Sequence, residues 1–126
     1  MLIKLITIHV NNMEKSLEFY KDKLGFKEVR RIDYIEDMTM IFLKDKEGGL
    51  IELIENKKMP SNDNTIKSSA VSFALFVTDM DETIIKLNRN GIQLNKGPIK
   101  MPSGEVLAFI KDPNGVEIEF IEGFKL

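Results

Sequence analysis

The chain has 126 residues, 43% of them hydrophobic, enough to bury one core without disulfide or metal staples. Its 18 basic and 20 acidic side chains are well mixed, for a formal net charge of −2. No basic stripe points to nucleic acid, and no apolar run is long enough to span a membrane. Cysteine is absent, which excludes disulfides, thiolate metal sites and cysteine nucleophiles together and fits a cytoplasmic protein.

Residues 2–10 (LIKLITIHV) predict a first strand. The opening MLIKLITIHVNN is apolar but brief and lacks a small-residue cleavage pattern, so it reads as strand and not as signal peptide. Asn12 then caps a helix with Glu14 in its first turn. Met13, Leu17, Tyr20 and Leu24 recur at helical spacing, and Gly25 is the stop. Residues 26–34, MTMIFLK (38–44) and LIELIE (50–55) follow as strands, with Lys46 to Gly49 as the turn between the last two. Residues 56–68 are polar, contain Pro60 and read as a linker. The pattern then repeats. AVSFALFV (70–77) is a strand, and Asp79 caps a helix carrying Met80, Ile84 and Leu87, stopped by Gly91. Strands are expected near 92–95, at VLAFIK (106–111) and at VEIEFI (116–121). Asp112-Pro113-Asn114-Gly115 has type I turn chemistry.

The second pass is a copy of the first. Residues 42–55 (FLKDKEGGLIELIE) and 109–122 (FIKDPNGVEIEFIE) align without a gap, agree at eight of fourteen positions and lie 67 residues apart. The same offset pairs Val10 with Val77 and Met13 with Met80. A long fixed period indicates a duplicated structural unit. The expected organisation is one domain over 1–126, made of a βαβββ module at 1–56, a linker at 57–68 and a second βαβββ module at 69–126. The fold class is α+β.

Strand alternation sorts the faces. Val116, Ile118 and Phe120 share an apolar face expected to lie against a helix, as do Gly49, Ile51 and Leu53. Glu117, Glu119 and Ile121 share the other face, as do Leu50, Glu52 and Ile54. A face mixing carboxylates with aliphatics suits the wall of a cleft. Duplicated halves usually pack about a local two-fold axis, which brings Glu52 and Glu119 together there.

Four stretches, VNNMEKSLEFYKDKLGF (10–26), GLIELIE (49–55), NGIQLNKGPIK (90–100) and AFIKDPNGVEIEFIE (108–122), resemble the vicinal oxygen chelate superfamily. The likeness is to its small bacterial glyoxalase I-type members in particular and covers nearly the whole chain. It implies two half-barrels around a cleft and, at this length, a homodimer. Glyoxalase I-type members hold a divalent ion there with two His and two Glu, one pair from each half. The glutamates carry over onto Glu52 and Glu119. The histidine positions fall on Leu5 and Ser72, so both imidazoles are missing, at duplicate places. Dioxygenase and fosfomycin-modifying members also need two His, and fit no better. No metal is therefore expected. Two carboxylates alone would hold at most a weak Mg²⁺, Mn²⁺ or Ca²⁺.

His9, the one histidine, shares parity with Leu5 but lies about 13 Å further along the strand. By the resemblance it stands where a basic residue holds the substrate's carboxylate. The plainer reading is a strand-end histidine near the surface. Leu5, Thr7, Ser72, Ala74 and Phe76 complete the ligand-facing set by parity. Ser72 is either a ligand contact or a structural hydroxyl, and Phe76 either core or a stacking platform. Lys100 and Met101 precede the next strand as a lid or a plain loop. Two converging carboxylates without a cation would share a proton and could serve as catalytic acid–base groups, or they would attract a cationic or amphipathic ligand. Three functions stay open: a binding protein of the bleomycin-resistance type that sequesters a small molecule, a glyoxalase-like lyase or isomerase using Glu52 and Glu119, and a structural dimer.

Overall fold

The computed structural model describes residues 1–58 and 71–125. The chain forms two compact units, Met1–Asn64 and Thr65–Leu126. The linker expected at 57–68 lies, from residue 59 on, outside the described residues. So does the start of the strand expected from residue 70.

The first unit runs β1 (Ile6–His9), α1 (Met13–Leu17) with a π-helical continuation (Glu18–Lys23), β2 (Lys27–Ile35), β3 (Met38–Lys44) and β4 (Leu50–Asn56). The second runs β5 (Phe73–Val77), α2 (Met80–Arg89), β6 (Lys96–Lys100), β7 (Val106–Lys111) and β8 (Glu117–Glu122). The sheet orders are β1-β4-β3-β2 and β5-β8-β7-β6. In each, the first strand lies parallel to the last and the remaining pairs are antiparallel. The fold is α+β, two βαβββ modules.

Each core lies between a helix and one sheet face. In the first unit Ile41, Leu43 and Leu53 are fully buried with Tyr20, whose ring packs edge-on against Phe19 at 5.0 Å and Phe26 at 6.3 Å. In the second, Met80, Leu87 and Ile92 close over Ala108, Ile110, Ile118 and Phe120. The hairpins between the last two strands share one device. Asp45 accepts from the Glu47 and Gly49 amides, and Asp112 from those of Asn114 and Val116, all at 2.8 Å. A short acceptor two residues before the turn's centre closes the loop.

The helix starts are also built twice. Asn12 accepts from the Lys15 amide at 3.1 Å and Asp79 from that of Glu82 at 3.0 Å, as capping predicts. A second acceptor comes from far along the chain. The Glu55 carboxylate accepts from the Met13 amide at 2.8 Å, and Glu122 does the same for Met80 at 2.5 Å. An anion at an unsatisfied helix N–H gains both the hydrogen bond and the local dipole.

Three expectations are corrected. The first strand is Ile6–His9, not 2–10, because β4 begins at Leu50 and its pairing with β1 starts at Ile51. Leu2 and Ile3 have no partner there and are exposed, so β-propensity alone does not order them as strand. No strand forms at 92–95. Ile92 plugs the core and β6 starts only at Lys96, which makes Lys100 a strand residue and not part of a loop. The first helix is not α-helical throughout. Gly25 follows its cap Asn12 by thirteen residues, whereas Gly91 follows Asp79 by twelve. The extra residue is taken up by the π turn, where the Leu24 amide donates to the Phe19 carbonyl at 2.9 Å.

These contacts set two expectations for urea unfolding. Leu53→Ala, at a fully buried site, should cost about 2–5 kcal/mol. Glu122→Ala, which strips a helix N–H of its charged acceptor, should cost about 1–3 kcal/mol. An unchanged midpoint for Glu122→Ala would show that the helix start does not need the strand-end carboxylate.

Candidate functional site

The site is built from the sheet face that each helix leaves uncovered. On β4, Ile51 and Leu53 are buried under the helix, so Leu50, Glu52 and Ile54 point to the other side. On β8, Ile118 and Phe120 are buried, and Glu117, Glu119 and Ile121 take the other side. Both Glu52 and Glu119 are half-buried.

Register extends each glutamate into a row across all four strands. Glu52 lies beside Thr7 on β1 and Phe42 on β3, and Phe42 lies beside Arg30 on β2. Glu119 lies beside Ala74 on β5 and Phe109 on β7, and Phe109 lies beside Lys96 on β6. The two rows read small residue, carboxylate, aromatic ring, cation. In each the cation sits over its neighbour's ring, Arg30 at 6.0 Å from the Phe42 centroid and Lys96 at 5.7 Å from that of Phe109. The next row along is apolar in both units except for His9 at the edge of the first. It is His9, Ile54, Met40, Ile32 in the first and Phe76, Ile121, Leu107, Ile99 in the second.

The residues singled out from the sequence fall as follows. Thr7 and Ala74 are exposed next-strand neighbours of Glu52 and Glu119. His9 ends β1, exposed, on the same face as Thr7. Leu5 and Ser72 lie just before their strands, half-buried and exposed respectively. Phe76 is no core residue: it is 66% exposed and its ring rests against Phe124 at 5.1 Å. Met101 begins the connection to β7, where its amide donates to the Glu105 carbonyl at 2.8 Å. The Ser103 hydroxyl donates to the Glu105 carboxylate and holds that group below its ordinary pKa.

Arg30, Phe42, Lys96 and Phe109 were not singled out by sequence reasoning. The rings stood at the head of the repeated phrase, a signal left unused. The cations were hidden by bulges. In β6 the register passes from Lys96–Phe109 to Ile99–Leu107, so two residues an odd number apart share a face. Gly97 makes this possible. Its φ is +95°, and a Cβ there would sit 2.7 Å from the Leu107 carbonyl oxygen.

A two-His, two-Glu metal set does not fit these residues. The first face offers Glu52, and the second Glu119 with Glu117 two residues before it. Leu5 has no donor atom, Ser72 has only a hydroxyl, and the described residues contain no group of three or more His, Cys, Asp or Glu able to hold an ion.

The sequence model of the Glyoxalase/Bleomycin resistance protein/Dioxygenase superfamily matches residues 2–120. The chain belongs to this superfamily. Its two mixed four-stranded sheets are the half-barrel βαβββ modules of the glyoxalase fold. A lactoylglutathione lyase from Neisseria meningitidis is 34% identical over 121 residues, covering 91% of this chain and 86% of that protein. A probable lactoylglutathione lyase from Synechocystis sp. is 34% identical over 120 residues, covering 91% and 90%. The trypanothione-dependent glyoxalase I of Leishmania major has a similar structure, with a TM-score of 0.75 at 26% identity, over 97% of this chain and 86% of that chain. A glyoxalase family protein from Enterococcus faecalis shares the fold at a TM-score of 0.80 and 24% identity, over 96% and 97%.

Gly97→Ala should lower stability by about 1–3 kcal/mol, because the positive φ and the close carbonyl both oppose a side chain. Thermal unfolding measures this. A variant as stable as the parent would mean that β6 carries its bulge without glycine.

Proposed function

We propose that this glyoxalase-superfamily chain is a small-molecule-binding protein with a degenerate metal site, which holds its ligand against the faces carrying Glu52 and Glu119. The observation that supports this is the make-up of those faces. Each carries one carboxylate beside an aromatic ring and an aliphatic row, with Leu5 and Ser72 where the family resemblance calls for imidazoles. Carboxylates without imidazole give a transition metal little hold, and a hard cation would remain largely hydrated. A carboxylate next to a ring and aliphatic side chains instead suits an amphipathic organic ligand with a cationic group. The acid attracts the charge, the ring face favours it, and the aliphatics take the apolar part out of water. Thr7, His9, Ala74 and Phe76 would contact the ligand from the edge strands. Sequestration without chemistry, in a homodimer, completes the proposal.

A second reading is supported by the relatives at 34% identity, which are lactoylglutathione lyases. In it Glu52 and Glu119 move a proton between adjacent carbons of the substrate, unaided or with a weakly held divalent ion.

Two measurements separate these readings. With methylglyoxal and glutathione, turnover should be undetectable with or without added Ni²⁺ or Zn²⁺. Turnover that disappears in Glu52→Gln would establish the lyase in place of the binding protein. Elemental analysis of untagged protein should find no stoichiometric transition metal, and one tightly held ion per protomer would refute the degenerate site. Leu5→His combined with Ser72→His should tighten Ni²⁺ binding by more than about tenfold, read by calorimetry. No gain would mean that the two positions do not serve one site.

A further inference from the structure

The geometry points to a ligand carrying charges of both signs: a small zwitterion with a planar apolar body, its ammonium-type group at Glu52 or Glu119 and its anionic group at Arg30 or Lys96. This rests on the binding function proposed above and names the chemical class of ligand.

Four observations carry it. The first is the order along each row, in which the ring separates a carboxylate from a cation. With strands about 4.8 Å apart, the two charged residues are anchored roughly 10 Å apart. That is close to the screening length at physiological salt, so neither neutralises the other strongly. The second is that all four charges are left unpaired. Among the described residues, none of Arg30, Glu52, Lys96 and Glu119 is in an ion pair. Arg31, by contrast, is bound to Glu28 at 2.7 Å. Arg30 lies over the Phe42 ring instead, and Lys96 over that of Phe109.

The third observation is the duplication. The cation is Arg in one copy and Lys in the other, and the small residue is Thr or Ala. Sign, order and ring are the same in both copies, and the cation lies over the ring in both. In the second unit this needs an irregular strand, because only the bulge at Gly97 and Pro98 puts Lys96 and Ile99 on one face. A regular strand would be the simpler structure if the position of the cation did not matter. The fourth is the aliphatic stretch alongside, Ile54, Met40 and Ile32 in one unit and Ile121, Leu107 and Ile99 in the other, which supplies an apolar wall next to each charged strip. A molecule with only a cation would leave Arg30 or Lys96 unsatisfied, and one with only an anion would face the carboxylate. A zwitterion meets both ends.

Three matched probes test this by NMR titration of the isotope-labelled full chain: benzylamine, phenylacetate and 4-(aminomethyl)phenylacetate. The zwitterion is expected to bind at least about fivefold more tightly than either single-charge probe, with amide shifts along β3, β4, β7 and β8. Arg30→Met with Lys96→Met should abolish its advantage over benzylamine without weakening benzylamine binding. Glu52→Gln with Glu119→Gln should abolish its advantage over phenylacetate. These side chains are exposed or half-buried, and circular dichroism checks that each variant folds. Binding at these faces with no preference for the zwitterion, or with a preference that survives Arg30→Met and Lys96→Met, overturns this inference and leaves the binding function standing. No shifts on these faces from any of the three probes overturns both.

Discussion

The hydrogen bond on which each module depends runs from the last strand back to the first helix. Glu55 holds the Met13 amide and Glu122 holds that of Met80, each across 42 residues. It closes the module, because the strand that pairs with β1 or β5 also caps the helix that follows it. It also fixes which way the strand faces. Ile51, Leu53 and Glu55 point to the helix as one alternating set, so Leu50, Glu52 and Ile54 must point away. The same holds for Ile118, Phe120 and Glu122 against Glu117, Glu119 and Ile121. The acidic residue near the end of each strand serves structure, and the one three residues earlier faces away from the helix. Two glutamates of the same type, in one strand, are separated in purpose by parity alone.

The outward faces then have a simple electrostatic design. A metal would supply positive charge to each glutamate of a glyoxalase-type site. Here, where the residues suit no such ion, the positive charge in line with each glutamate across the sheet belongs to the protein and stands on the far side of a phenylalanine. The ring spaces the charges and gives the cation a partner that is not an anion. The carboxylate keeps its own charge free for something else.

Much of this was legible in the residues. The repeated phrase gave the duplication, alternation placed Glu52 and Glu119 opposite the helices, and the caps Asn12 and Asp79 and the stops Gly25 and Gly91 bounded the helices. Counting by twos worked on β4 and β8 because those strands are regular. It does not hold on β2 and β6 because of their irregularities. In β2, Glu28 aligns with buried Leu43 although it has the same parity as Arg30. In β6, Lys96 and Ile99 share a face against that rule. Gly-Pro inside a strand-prone stretch is a recognisable bulge signal, but it does not tell which side chains come together. The first strand was overextended for another reason: propensity is local, and where a strand stops depends on where its neighbour stops.

The π turn of the first helix has a consequence beyond geometry. The copies differ by one residue there, and by one residue in the opposite sense at the bulge of β6, so that the spacing of 67 is restored by Phe42 and Phe109. Both mismatches sit where the backbone can absorb them. One added residue in β4 or β8 would turn the hydrophobic side outward and bury the carboxylates. The fold thus divides into stretches that tolerate a change of length and stretches that permit none, and the latter hold Glu52 and Glu119.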